Sequence, residues 1–368
     1  MTETILSTTP ARCDDDAAIA LLRAMLGIAS PSGGEQRLAR YLRDRLPALG
    51  FRTSVDEVGN LVADIGTGVG PTVMLLSHLD TVDRPLPVFL DDAGVLHGRG
   101  AVDAKGPLAA MLCAAARRPG FAGTVRVIGA VEEEWLSRGG HHVARTQPEP
   151  DALIIGEPSG WSSVVLGYKG KIDVRYTVDR PPTHSTNPRR KASEVAVDFW
   201  RALLAALGPD LDHGSFQRPA ATLRGIEADV LRATLDVDCR VPPGFDLDRF
   251  ATALHAAAGD GELDIVRYIP AVRHGRGNPA ARSLSASIRR HGGTPRPTLK
   301  TGTSDMNTVT ERWSVPAAAY GPGDSSLDHG DDERISVDEF LRGVTVLAGA
   351  LDELADEPFD TRPREFDR

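Results

Sequence analysis

Apolar and polar positions follow two different periods along this chain. Over residues 14–28 three aspartates precede Leu21, Leu22, Met25 and Leu26, which fall on one face of a helix. The acids at its start suit the positive end of a helix dipole. The stretch "SPSGGE" (30–35) reads as a turn, and a second amphipathic helix is expected to run to about Leu49. Short apolar runs then alternate with helical stretches. "TVMLLSHLD" (72–80), "TVRVIGAVEE" (124–133) and "DALIIGEP" (151–158) predict buried strands, with helices over 105–118 and roughly 138–146 between them. Strands alternating with helices predict a layered α/β domain with a mainly parallel central sheet.

After residue 160 the pattern changes. "VVLGYKGKIDVRYTV" (164–178) alternates like a strand with one exposed face. A helix at 190–207 follows, then "LRATLDVDCRV" (231–241), a helix at 246–258 and "ELDIVRYI" (262–269). With one further strand these make the β-α-β-β-α-β order of a ferredoxin-like α+β domain, the plan expected here. From "NPAARSLSASIRRHG" (278–292) the α/β texture returns. Residues 166–274 therefore read as an insertion, and 1–165 with 275–368 as one discontinuous catalytic domain. The tail after 355 is polar and expected to be mobile.

At 368 residues, two domains are the natural expectation. The 51 acids outweigh 42 Lys plus Arg, and a net charge of −9 argues against nucleic-acid binding. Cys13, Cys113 and Cys239 form no CxxC pair, so neither a disulfide framework nor a thiolate zinc site is expected. There is no basic segment followed by an apolar run at the N-terminus and no uninterrupted run of the roughly 18 apolar residues that span a bilayer. A cytoplasmic protein without membrane partners is expected.

The predicted buried strands end in metal-ligand residue types. The first runs into His78 and Asp80, which, two apart on an extended chain, share a face. The second ends in Glu132, Glu133 and Glu134, the third in Glu157, and Asp103 lies in the glycine-rich "GRGAVDAKG" (98–106) before a helix. Ligands bind outside the carboxyl ends of strands in open α/β sheets, where all of these fall. Singly, each has an ordinary structural explanation; their joint placement points to a metal centre. Imidazoles and carboxylates without cysteine suit Zn²⁺, Co²⁺ or Mn²⁺.

Taken in order, "SHLDTV" (77–82), "GRGAVDAKG", "VEEEWLSRGG" (131–140), "IIGEPS" (154–159) and "DHGDDE" (328–333) resemble the zinc aminoacylases. That family includes acetylornithine deacetylase, succinyl-diaminopimelate desuccinylase and carboxypeptidase G. The resemblance spans nearly the whole chain. It implies a zinc-peptidase-like catalytic domain, the insertion serving as a lid and dimerisation domain, and a homodimer. It also implies two divalent cations, Zn²⁺ first, with His78 and Glu157 on one, Glu134 and His329 on the other, and Asp103 bridging. Asp80 would hydrogen-bond the far nitrogen of His78, Glu133 would be the general base, and the Asp103–Ala104 peptide would be cis. Glu132 carries no role and reads as a solvated neighbour. His184, in "PPTHSTNP" (181–188), resembles a histidine that reaches from the partner subunit's lid to the oxyanion. Arg282 and "KTGTSD" (300–305), with Gly302, Thr303 and Ser304, resemble segments lining the substrate side; a helix N-cap at Ser304 or Asp305 explains the latter equally well. Asp229 in "EADVLRA" (227–233) stands where relatives often have asparagine, which puts a simple acetyl-amino-acid substrate in doubt.

"GEPSGWSSVVLGYKGK" (156–171) and "KTGTSDMNTV" (300–309) most resemble the LysK-type hydrolases, which release lysine or ornithine from the γ-carboxyl of the glutamate ending a small acidic (LysW-like) amino-group carrier protein. Between 265 and 300 there are seven arginines and Lys300 but no acid, a candidate landing surface for such a partner and equally a solvated basic face. Two other readings stay open. One is a deacylase or dipeptidase of the same mechanism acting on a small acylated amino acid. The other is a catalytically silent homologue that binds a carrier or peptide, against which the full set of ligands and base counts.

Overall fold

The structure of the chain, a computed structural model, describes residues 13–359. The N-terminal segment read for a leader and the end of the polar tail lie outside the described residues. The chain divides into two compact units. Among the described residues, one comprises 13–166, 274–298 and 308–359, the other Gly167–Arg273 and Leu299–Asn307.

The first unit is a layered α/β assembly. Thr124–Ala130, Thr72–His78, Ala152–Ile155 and Ala317–Ala319 are neighbours in that order and parallel, and Leu61–Ile65 joins antiparallel beside Thr124–Ala130. Six of the seven residues of Thr72–His78 are buried, as a strand covered on both faces requires. Lys105–Ala116 is buried along its whole length, between the sheet and the helices Asp15–Leu26 and Val337–Ala355. Its "AAMLCAAA" run permits this, because alanines let backbones approach closely. A small sheet of Arg334–Ser336, Val95–His97 and Phe89–Leu90 sets residues 329–333 beside the loop at 98–103.

The second unit is a four-stranded antiparallel sheet in the order Ala220–Ala228, Arg232–Val241, Gly170–Asp179, Glu262–Ile269. Helices Ala192–Leu207 and Leu247–Ala258 cover it, the ferredoxin-like plan. The alternating burial of Gly170–Asp179 places Ile172, Val174, Tyr176 and Val178 against Phe199, Leu203, Phe250 and Leu254. Tyr176 stacks on Phe199 with ring centroids 3.9 Å apart. Such a pair contributes roughly 0.5–1.5 kcal/mol beyond its area burial.

Three local readings are corrected. The expected single strand over 164–178 is two, Ser163–Tyr168 and Gly170–Asp179, because the chain changes partner at Lys169. Gly170 permits the change: a Cβ there would lie 2.5 Å from the Ile269 carbonyl oxygen. Strand Ala220–Ala228 has no strong apolar signature, since it is an exposed edge with one buried residue. Residues 299–307 join the second unit rather than the first. Asn307 Nδ2 donates to the Lys169 and Pro270 carbonyls, at 3.1 and 2.9 Å, which ties that segment in place.

Candidate metal centre

Three strand ends and two loops of the first unit bring the ligand types together. His78 closes Thr72–His78 and is buried. Its Nδ1 lies 2.9 Å from the Asp80 carbonyl oxygen and 3.4 Å from Asp80 Oδ1. A carbonyl can only accept, so Nδ1 carries a proton and Nε2 is the nitrogen turned to the site, where its lone pair is available to a cation once that nitrogen is deprotonated. The expected contact with the Asp80 carboxylate is thus the longer of two, the backbone carbonyl being nearer. That carboxylate is committed elsewhere. It accepts from Ser32 Oγ at 2.7 Å, from the Glu133 N–H at 3.0 Å and from the Glu134 N–H at 3.1 Å. Asp80 therefore orients His78 and the backbone of the two following acids.

Asp103 precedes a cis peptide to Ala104, at the start of helix Lys105–Ala116. The turn closes tightly: a Cβ on Gly106 would lie 2.2 Å from the Ala101 carbonyl oxygen. Asp103 Oδ1 is 3.1 Å from His78 Nε2 and Oδ2 is 3.1 Å from His329 Nε2. His329 Nε2 is also 2.9 Å from Glu134 Oε1. Two ligand groups result, His78–Asp103–Glu157 and Asp103–Glu134–His329, each with donor atoms within 4.8 Å of one another. They share Asp103.

The electrostatics fit a pair of cations. Burial pushes the Glu157 carboxyl well above the usual carboxylate range, and the charges of Asp103 and Glu133 push it further. Among the described residues the Glu157 carboxylate accepts no hydrogen bond. Burial also raises Glu134, against the opposing contact with His329. Burial would raise Asp103 too, but its contacts with His329 and His78 hold it far below the usual range. Burial alone would lower His78, yet Asp103 and Asp80 outweigh it and take it well above the ordinary histidine value. Asp103 and Glu134 push His329 up to about 10. Carboxylates crowded with too little positive charge, and imidazoles facing them, form a donor set that divalent cations satisfy.

Both imidazoles are raised above the ordinary histidine value by the carboxylates they face, so a cation competes with a proton for each. Loading is therefore expected to release protons and to strengthen as pH rises toward about 10, the value for His329. Each proton expelled contributes about tenfold in apparent affinity per pH unit. Calorimetric titration in buffers of different ionisation enthalpy measures this directly; loading that releases no protons would refute it.

The other sequence-derived residues lie as follows. Glu132 is buried rather than solvated: its carboxylate pairs with Arg138 at 2.8 Å and its backbone has φ 58°. Its N–H donates to Glu35 Oε1 at 3.0 Å, which fixes the turn presenting Glu133. His184 is exposed in the second unit, and its Nδ1 accepts from the Thr186 N–H at 3.3 Å. In the same unit Thr303 Oγ1 accepts from Arg240 Nη1 at 3.1 Å. Ser304 Oγ accepts from the Met306 N–H at 3.2 Å, the capping alternative, and Gly302 stands just before this turn. Asp229 Oδ1 accepts from the N–H groups of Leu231 and Arg232 at the turn joining two strands. Arg282, in the first unit, donates to the Gly277 carbonyl and to Glu357 rather than to the carboxylate–imidazole cluster.

Sequence reasoning missed three supports. Asn60 Oδ1 accepts from the Val131 N–H and its Nδ2 donates to the Gly139 carbonyl, bracketing the Glu133–Glu134 loop. Lys105 is buried and its Nζ donates to the Met25 and Ile28 carbonyls; burial lowers it to about 8. Glu333 and Arg99 hold the Asp103 loop. Arg99 and Lys105 were in view inside "GRGAVDAKG" and Glu333 at the end of "DHGDDE", but neither motif says which partner each meets.

The sequence pattern of peptidase family M20/M25/M40 matches residues 74–353. A "[LysW]-lysine hydrolase" of Deinococcus radiodurans is 42% identical over 355 residues, covering 93% of this chain and 98% of that protein. A "[LysW]-lysine/[LysW]-ornithine hydrolase" of Saccharolobus islandicus is 28% identical, covering 91% and 95%. Among solved structures, an M20 family metallo-carboxypeptidase of Sulfolobus solfataricus superposes with a TM-score of 0.75 at 19% identity, covering 92% of this chain and 99% of that one. Its fold is shared across nearly the whole length. The family pattern takes in all five ligand-type residues and the close relative matches almost end to end, so this protein belongs to peptidase family M20/M25/M40.

Proposed function

We propose that this chain is a two-metal amide hydrolase that releases lysine or ornithine from the γ-carboxyl of the glutamate ending a small acidic carrier protein. The observation that carries the chemistry is the pair of ligand groups sharing Asp103, with Glu133 one residue from Glu134. The substrate follows the relatives named as hydrolases of LysW-linked lysine and ornithine. Zn²⁺ suits the nitrogen and oxygen donors best, with Co²⁺ and Mn²⁺ as competitors that metal analysis separates. The reading places the enzyme in the cytoplasm.

His78 and Glu157 would hold one cation, Glu134 and His329 the other, and Asp103 both. Bound cations supply a Lewis acid for the amide carbonyl and acidify the attacking water. Glu133 takes the proton of that water and returns it to the leaving nitrogen, the step that turns an amine into a departing group. Asp80 holds Glu133 in place through its backbone N–H. His184, whose Nδ1 lies 2.8 Å from Thr186 Oγ1, would offer a ring N–H to a developing oxyanion. Under this reading the second unit mediates a homodimer in which His184 serves the partner's site.

The test compares purified enzyme on carrier-linked lysine and ornithine with N-acetylornithine, N-acetyllysine and succinyl-diaminopimelate. Preference for the small acylated substrates would overturn the carrier assignment. Salt gives a second arm. Arg282 and Arg290 are paired with Glu357 and Glu353, but Arg273 and Arg276 are exposed and carry no ion pair among the described residues. Cleavage of the carrier substrate is expected to fall steeply with ionic strength, since steering changes association rates ~10- to 1,000-fold and is screened over a Debye length of about 8 Å. Charge reversal at Arg273 and Arg276 should weaken that substrate and spare the small ones. Equal salt slopes for both substrate classes would remove the basic segment from recognition.

A further inference from the structure

A buried ion pair that takes no part in the chemistry above ties the ligand-bearing loops together. Arg99 and Glu333 are 6% and 1% exposed, and Arg99 Nη1 donates to Glu333 Oε2 at 2.8 Å. Glu333 accepts three backbone N–H groups as well: Gly100 on Oε2 at 3.1 Å, Val102 and Asp103 on Oε1 at 2.8 and 3.0 Å. Arg99 spends its remaining donors on other segments. Its Nη2 reaches the Gly330 carbonyl at 2.9 Å and its Nε the Arg84 carbonyl at 2.8 Å. One guanidinium, carried by the Asp103 loop, thus touches the segment after Asp80, Glu333 and the residue after His329.

A buried ion pair is weak grounds for stability, because desolvation offsets the attraction. Here the information lies in where its hydrogen bonds end. Those of Glu333 set the backbone up to and including Asp103, which belongs to both ligand groups. One from Arg99 fixes the peptide beside His329, whose backbone sits at φ 58°, where an unheld side-chain-bearing residue rarely stays. We propose that Arg99 and Glu333 form a positioning element that sets Asp103 and His329 as one rigid piece and thereby sets cation affinity. This rests on the metal-centre reading and is independent of which amide is cut.

The test uses Arg99→Lys in the full chain. Lysine keeps a charge for Glu333 but loses the planar fork that reaches Gly330 and Arg84. The control is Arg126→Lys, at the two-pronged Arg126–Asp64 pair near the start of strand Thr124–Ala130, the end away from Glu134. Metal-free proteins are titrated with Zn²⁺ by calorimetry, and the visible spectrum of the Co²⁺-loaded forms is recorded. Arg99→Lys is expected to weaken cation binding about 10- to 100-fold, the usual effect of losing an orienting partner behind a ligand, and to shift the cobalt spectrum. Arg126→Lys should lower the unfolding midpoint and leave both readouts at wild-type values. Wild-type affinity and spectrum in Arg99→Lys would overturn the proposal, as would a wild type that binds no cation. Should Arg99→Lys not fold, amide exchange in metal-free wild type decides. The Gly100, Val102 and Asp103 amides are expected to be protected, and free exchange there would overturn it.

Discussion

Glu133→Gln is expected to lower kcat about 100-fold or more while two cations remain bound. General-base catalysis contributes roughly 100- to 10,000-fold, and the amide of glutamine cannot accept the proton of the attacking water. A 100-fold loss corresponds to about 2.7 kcal/mol of transition-state stabilisation. The substitution should not disturb the ligands, because Glu133 lies outside both ligand groups and its backbone is held by Asp80 Oδ1. The neighbouring turn is anchored separately, through Glu132 to Glu35 and Arg138 and through Asn60 to Val131. Metal content, kcat and KM measured together read out the result. A variant that loses a cation with little change in kcat per loaded site would mean that Glu133 and Glu134 exchange roles.

Asp103→Asn is expected to lose both cations together and to reduce kcat/KM roughly 1,000-fold or more. Metal polarisation of the carbonyl supplies several kcal/mol, and each 1.36 kcal/mol is tenfold in rate. Only Asp103 belongs to both groups, with one oxygen turned to His78 and the other to His329. Asparagine keeps the shape but presents one weak oxygen ligand and no charge. Its NH₂ group would face an imidazole nitrogen or a cation. Glu157→Gln and His329→Ala each belong to one group and should each cost one cation. Metal analysis after dialysis separates these patterns, and an Asp103→Asn protein that keeps one tight cation would show that the two groups are independent.

The order of elements and the ligand types were legible in the sequence because both are written locally. Strands covered on both faces need continuous apolar runs, and the residue after such a run stands at the sheet's carboxyl edge whatever it packs against. That is why His78, Glu134 and Glu157 can be placed at strand ends from "TVMLLSH", "TVRVIGAVEEE" and "ALIIGE". The two helices of the second unit and three of its four strands are equally plain, since alternation with period two and clusters with period 3.6 set their faces without reference to the rest of the chain.

What only the tertiary structure decided is partner choice between distant residues. Ala220–Ala228 is a strand because Arg232–Val241 offers it a ladder, not because its own side chains demand burial. Glu132 is buried because Arg138 and the turn around Glu35 close over it, a matter of three-dimensional enclosure that the triplet "EEE" does not encode. The basic stretch is broken up by Glu353 and Glu357, more than 60 positions further on. Glu333 meets the Asp103 N–H across 230 positions of chain, and Arg99 meets Gly330 across 231. Local pattern sets which face a residue lies on. Which donor meets which acceptor depends on how the elements close in space, and at this centre that closure decides what holds Asp103 and His329 in register.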